Sequence, residues 1–191
     1  YFCFTADEES RGTGICAIVE EKYLDQVEEV VICEPSDEKI GICEKGALWL
    51  QTAVRGRSSH ASRPELGVNA VEYGICFVEK LKRAVEGKES HAILGHNTVS
   101  VTRFHGGIMT NIIPSSAEIE LDIRTVPGTS HDEIIRRAGE ICEEIMDMDP
   151  AVHMETEVLN NRPALETPED SPFVRCIMEE AERAGISTEP K

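Results

Sequence analysis

Residues 116–124 read SAEIELDIR and alternate strictly, with Ala117, Ile119, Leu121 and Ile123 on one side and Glu118, Glu120 and Asp122 on the other. Successive strand side chains point to opposite faces, so this pattern indicates a sheet with one packed face and one wet face. NTVSVTRF (97–104) and AVHMETEVL (151–159) alternate in the same way, and GALWLQTAVRG (46–56) is also strand-like. Between these runs lie two amphipathic stretches. Residues 66–86 put Val68, Val71, Ile75, Val78, Leu81 and Val85 on one helical face. A second helix is predicted to start at Ser130, which has capping-box spacing to Glu133. Its apolar stripe is Ile134, Ile135, Ala138, Ile141, Cys142, Ile145 and Met146. The order β-α-β-β-α-β is that of a ferredoxin-like sandwich, with two helices on one face of an antiparallel sheet.

The flanks read differently. YFCFT (1–5) and Val30–Cys33 are continuous apolar runs suited to buried strands, and residues 10–24 between them have helical spacing. Strand, helix, strand with unbroken apolar strands is the pattern of an α/β unit with a parallel sheet. After residue 160, NNRPALETPED reads as a loop; Ser171 then caps a helix with Pro172 at its first position and Gly185 past its end. The expected organisation is a ferredoxin-like module at 46–159 inserted into an α/β domain, of which 1–45 and 160–191 are parts. The sequence opens on an apolar strand without an initiator methionine, which suggests a piece of a longer protein.

The formal charge of −17 argues against nucleic acid or an anionic membrane as partner. No apolar run of 18 residues and no basic leader occurs, so neither a membrane span nor a signal peptide is expected. Seven cysteines, an odd count without a CxxC pair, read as reduced thiols buried as small hydrophobes in a cytosolic protein.

Three stretches carry candidate chemistry. In FTADEESRGTG (4–14), Asp7, Glu8 and Glu9 follow the first apolar run, at the strand end where open α/β sheets place their sites. Three adjacent acids raise one another's pKa, so they call for water or a cation. Glu34 ends the second apolar run and could meet them, and zinc accepts carboxylates. Taken alone, the tripeptide reads first as a solvated acidic turn. In GRSSHASRPELGVNA (56–70), His60 sits in a polar loop, either simply exposed or a donor to a substrate oxygen. In NIIPSSAEIELDIRTVPG (111–128), Asn111 lies between strands and Arg124 ends one. Arg124 could grip a carboxylate in a planar fork, or pair with an acid on the wet face.

Taken together, FTADEESRGTG, VICEPS, GALWLQTAVRGRSSHASRPELGVNA and NIIPSSAEIELDIRTVPG, in this order and spacing, closely resemble the M20 metallopeptidase family of deacetylases, desuccinylases, carboxypeptidases and aminoacylases. The resemblance spans essentially the whole chain. It implies a zinc-dependent catalytic domain carrying an inserted ferredoxin-like lid that forms homodimers. It implies Glu8 as general base, Glu9 and Glu34 as ligands of two zinc ions, with cobalt or manganese as alternatives, and His60 as a lid residue reaching the partner subunit's site. Asn111 and Arg124 are implied to hold the substrate's carbonyl and carboxylate groups. The substrate class implied is an N-acyl amino acid or short peptide. FHGG (104–107), DIR followed by PG, and STEP (187–190) resemble the acetylornithine deacetylase versions of these segments. The family's N-terminal His-x-Asp motif and distal histidine ligand have no counterpart in this sequence, so an inactive, metal-free piece of an amidohydrolase is expected. A non-catalytic dimerisation or binding module on the same lid is the alternative, as is a dipeptidase or carboxypeptidase.

Overall fold

The computed structural model describes residues 2–6, 12–34 and 39–186. The chain separates into two compact units, Tyr1–Glu38 and Lys39–Lys191.

In the first unit, the described residues contain one helix, α1 (Thr13–Glu20), with no buried residue. The strands expected at 1–5 and 30–33 do not form: among the described residues both runs are irregular, with Phe2 95% and Ile32 70% exposed. An apolar run becomes a buried strand only when neighbours complete its ladder and cover its faces. No described strand of this unit supplies either.

The second unit contains β1 (Cys43–Glu44), β2 (Gly46–Arg55), α2 (Ala70–Val85), β3 (Ser90–His91), β4 (Gly95–His96), β5 (Thr98–Gly106), β6 (Ser116–Thr125), α3 (His131–Met148), β7 (His153–Arg162), β8 (Leu165–Glu166) and α4 (Pro172–Arg183). The main sheet has the order β5-β6-β2-β7 and is antiparallel throughout. With α2 and α3 packed on it, this is the ferredoxin-like sandwich that the alternation predicts. The SAEIELDIR register holds: Ala117, Ile119, Leu121 and Ile123 are buried, opposite Val54, Thr52, Leu50 and Leu48 of β2. Phe77 and Leu81 of α2 and Ile141 and Ile145 of α3 close the core, all fully buried.

Local chemistry sets the helix ends. α2 starts at Ala70, later than residue 66, because Asn69 accepts the Val71 N–H at 3.1 Å and a 3-10 turn, Pro64–Leu66, precedes it. Ser130 caps α3 by accepting the Glu133 N–H at 3.3 Å. Ser171 caps α4 through the Val174 N–H at 3.2 Å, with Pro172 in the first turn and Gly185 at φ +75° beyond the end. β1 pairs with β8, so the two ends of the sandwich leave it side by side. One polar chain crosses the core: the buried Thr52 hydroxyl lies 3.0 Å from that of Thr156, which contacts Cys142 Sγ at 3.5 Å.

The cysteines depart from expectation. All those described are free, but only Cys142 is buried; Cys3, Cys16, Cys33 and Cys176 are exposed. Three of the four exposed thiols lie in the first unit, whose apolar runs are themselves uncovered. No described helix is long and apolar enough to cross a membrane.

Candidate functional site

β2 ends at Arg55, and the loop that follows is fixed to its surroundings by backbone bonds. Gly56 N–H donates to Ser115 O at 2.9 Å, and Arg57 and Val68 exchange a pair of bonds at 3.0 and 2.7 Å. Gly56 is required here, because a Cβ would lie 2.2 Å from Val68 O. The loop then runs antiparallel to 109–113: Ala61 N–H donates to Asn111 O at 2.9 Å and Ile113 N–H to Ser59 O at 2.8 Å, with a bridge between His60 and Ile112. His60 and Asn111 are therefore brought together at one end of the sheet, both exposed.

The His60 tautomer follows from its partners. Nδ1 accepts the Ser62 N–H at 3.2 Å and lies 2.8 Å from Ser62 Oγ. A backbone N–H can only donate, so Nδ1 is unprotonated and the ring proton sits on Nε2. Nε2–H is thus presented outward as a donor, and Ser62 is the residue that orients it. An open groove of about 850 Å³ lies beside this loop, lined by Arg55, His105, Ile108, Ile112, Pro114 and Glu118 among others.

Arg124 is elsewhere. It lies opposite Ala47, at the other end of β2, on the wet face. Nine residue steps separate Ala47 from Gly56, about 30 Å of strand at about 3.3 Å per residue. The fork of Arg124 is engaged by Asp122, with Nε and Nη2 donating to the two carboxylate oxygens at 2.7 and 3.0 Å. One chain thus brings His60 and Asn111 together and holds Arg124 far from both.

Glu34 is exposed in the first unit, and Glu8 and Glu9 lie outside the described residues, as does STEP (187–190). Zinc takes three or four protein ligands. Among the described residues no group of three or more His, Cys, Asp or Glu could hold a metal ion, so these residues alone do not fit a zinc centre.

Outside this site, two carboxyls are held below their ordinary range. For Glu144 the causes are the Lys80 ammonium and the Arg137 guanidinium; for Asp149 they are the Tyr73 hydroxyl and the Ala151 N–H. They tie α2 to α3 and to its C-terminal turn. Asp149, Tyr73, Glu72 and Cys76 line a smaller cavity of about 370 Å³ at the start of α2, with Pro64, Val68 and Ile113 among its other walls.

Residues 42–149 match the family model described as "Peptidase dimerisation domain", M20_dimer. A Staphylococcus epidermidis protein named "Probable succinyl-diaminopimelate desuccinylase" is 27% identical over 169 residues, covering 71% of this chain and 42% of its own length. Myxococcus xanthus "Acetylornithine deacetylase" is 25% identical over 180 residues, covering 92% of this chain and 47% of its own. The structure of aminopeptidase PepT from Bacillus cereus superposes with a TM-score of 0.64 at 21% identity, over 80% of this chain and 39% of that one; this likeness concerns the fold. The chain spans less than half the length of these relatives.

Proposed function

Because the chain belongs to the M20 peptidase dimerisation-domain family, we propose that it is the lid-bearing part of a homodimeric amidohydrolase that cleaves the amide bond of an N-acyl amino acid, of the acetylornithine deacetylase kind. In this reading 46–159 is the inserted lid, and 1–45 and 160–191 belong to the catalytic domain. The observation that carries the proposal is the separation of His60 and Asn111 from Arg124 along β2. A donor pair and a carboxylate fork about 30 Å apart cannot act on one small substrate within one subunit. Two copies related by a twofold axis can bring one copy's His60 to the site served by the other's Arg124.

The surface supports one way for the copies to meet. β5 and β7 are the sheet's edges. Glu155 and Glu157 stand on the exposed side of β7, so two copies pairing there would set like charges opposite one another on a chain of charge −17. β5 presents Ser100, Val101 and Thr102 instead, with Val101 39% exposed. We assign β5 as the self-pairing edge.

The chain's own residues do the following. Arg124 releases Asp122 and takes the substrate's carboxylate in its fork. His60 Nε2–H, held by Ser62, and the Asn111 amide donate to the scissile carbonyl oxygen as it gains negative charge. Glu8 takes the proton of the attacking water and returns it to the leaving amine. Glu9 and Glu34 are the carboxylates assigned to metal binding in the parent protein. The described residues do not build that centre, and no step above is routed through it.

The test is an amide-hydrolysis assay of the full-length protein on N-acetyl and N-succinyl amino acids and a dipeptide panel. His60→Ala is expected to lower kcat by roughly 10²–10³-fold, and Arg124→Gln to raise KM for substrates bearing a free carboxylate. Hydrolysis unaffected by His60→Ala would refute the assignment.

A further inference from the structure

His60 and Ile112 face each other across the short ladder that holds the candidate loop. The flanking bonds, Ala61 N–H to Asn111 O and Ile113 N–H to Ser59 O, leave the two residues themselves unbonded to one another. Such a pair has its Cα atoms about 4.5 Å apart and both side chains on one side of the ladder. Ile112 is also a wall of the open groove of about 850 Å³, so the groove begins on the side where the His60 ring is presented. Its lining divides by chemistry. Arg55 and Glu118 carry opposite charges, with His105 opposite Glu118 in the strand register, while Ile108, Ile112 and Pro114 are apolar. Ile108 is 85% exposed although the backbone around it is set. Gly106 pairs with Ala117, Gly107 takes φ +80°, and the Ile112 N–H closes a turn on Met109 O at 3.2 Å. A large aliphatic side chain held bare on a hydrogen-bonded turn, at the wall of a groove, gains only when something apolar covers it.

We propose that this groove is the acyl-chain subsite, which takes an uncharged acyl group longer than acetyl, with Ile108 and Ile112 as the residues that contact it. The inference rests on the amidohydrolase reading, which fixes the bond that is cut and leaves the acyl group open. In that reading His60 Nε2–H donates to the scissile carbonyl oxygen. The acyl chain is bonded to the same carbonyl carbon, so it starts beside Ile112 and runs along the groove towards Ile108. Size argues against acetyl as the preferred group. Clefts of roughly 300–1,000 Å³ accommodate drug-sized ligands, and a single methyl would leave this groove filled with water. Charge argues against a chain that ends in a carboxylate, because Arg55 and Glu118 offset each other along the polar wall. Each methylene that leaves water against Ile108 or Ile112 strengthens substrate binding and raises kcat/KM.

The full-length protein is assayed on the N-acetyl, N-butyryl and N-hexanoyl derivatives of one amino acid, with the N-succinyl derivative alongside. kcat/KM is expected to climb with chain length, hexanoyl exceeding both acetyl and succinyl at least tenfold. Ile108→Gln should cut the hexanoyl-to-acetyl ratio at least threefold, with its urea midpoint at the wild-type value because the side chain is exposed. His60→Ala should slow all four substrates and leave that ratio as it is. A wild-type ratio near one, succinyl handled as well as hexanoyl, or a ratio unchanged by Ile108→Gln would overturn the proposal. If no N-acyl amino acid is hydrolysed, the amidohydrolase reading falls and the groove is judged by binding. The Ile108 and Ile112 methyl NMR resonances are then followed during titration with N-hexanoylglycine and with N-acetylglycine. Saturable shifts at least tenfold tighter for the hexanoyl compound would leave the subsite standing, and their absence would overturn it as well.

Discussion

Gly56 is the position where a single methyl group should disconnect the His60 loop. An added Cβ would lie 2.2 Å from Val68 O and 3.0 Å from Val68 C, both backbone atoms that cannot rotate away. Gly56 has no positive φ, so alanine costs nothing in dihedral terms and the effect is purely one of contact. Either the overlap persists, or the 57–68 loop shifts and loses the paired Arg57–Val68 bonds. Two backbone bonds at ~0.5–1.5 kcal/mol each give a loss of ~1–3 kcal/mol, the same size as the usual cost of overpacking. Gly41→Ala is the control, since a Cβ there meets nothing within 4 Å. Urea unfolding of the two variants and wild type gives the stabilities, and native-state hydrogen exchange at Arg57 and Val68 shows whether the bridge opens. A Gly56→Ala variant within ~0.5 kcal/mol of wild type, with both amides still protected, would refute the argument that this glycine holds the loop.

Phe77→Ala removes a fully buried ring from the centre of the sandwich and should cost ~3–5 kcal/mol in urea unfolding. Thr52→Val leaves the Thr156 hydroxyl without its 3.0 Å partner and should cost ~1–2 kcal/mol; the Thr52→Val, Thr156→Val double variant should recover part of this. Glu144 and Asp149 titrate below their unfolded values, so their contribution is complete at neutral pH and is lost as pH falls below about 4. Glu144→Gln and Asp149→Asn should therefore be less stable than wild type at pH 7, and the gap should close on acidification, read from thermal unfolding against pH.

The sandwich was legible because most of its signals agree. Ile119, Leu121 and Ile123 alternate with acids, Ser130 and Ser171 cap where their spacing says they should, and the α3 stripe faces the sheet. On α2 the buried face runs instead through Ala70, Gly74, Phe77, Leu81 and Val85, and Ile75 of the expected stripe is 48% exposed. The misreadings have one cause. Phe2–Thr5 and Val30–Cys33 have the composition of buried strands, but composition records what a segment would gain by burial and not whether neighbours are there to bury it. The exposure of Cys3, Cys16 and Cys33 goes with the same lack of covering elements among the described residues. Within the candidate site, His60, Asn111 and Arg124 were visible as residues in loops and at strand ends. The tautomer fixed by Ser62 was not, although the His-x-Ser spacing was there to suggest a side chain-to-backbone turn.

Complementation between two impaired full-length variants tests the central claim, that one site draws His60 from one copy and Arg124 from the other. His60→Ala, with its lowered kcat, and Arg124→Gln, with its raised KM, would be unfolded together, refolded as a mixture and assayed for amide hydrolysis at substrate well below the Arg124→Gln KM, where each alone turns over little. In a hybrid dimer one site receives an intact His60 and an intact Arg124, so about a quarter of wild-type turnover should return, half the dimers being hybrids with one good site each. No recovery, with hybrid dimers shown to have formed, would mean that both residues act within one subunit and would contradict the account.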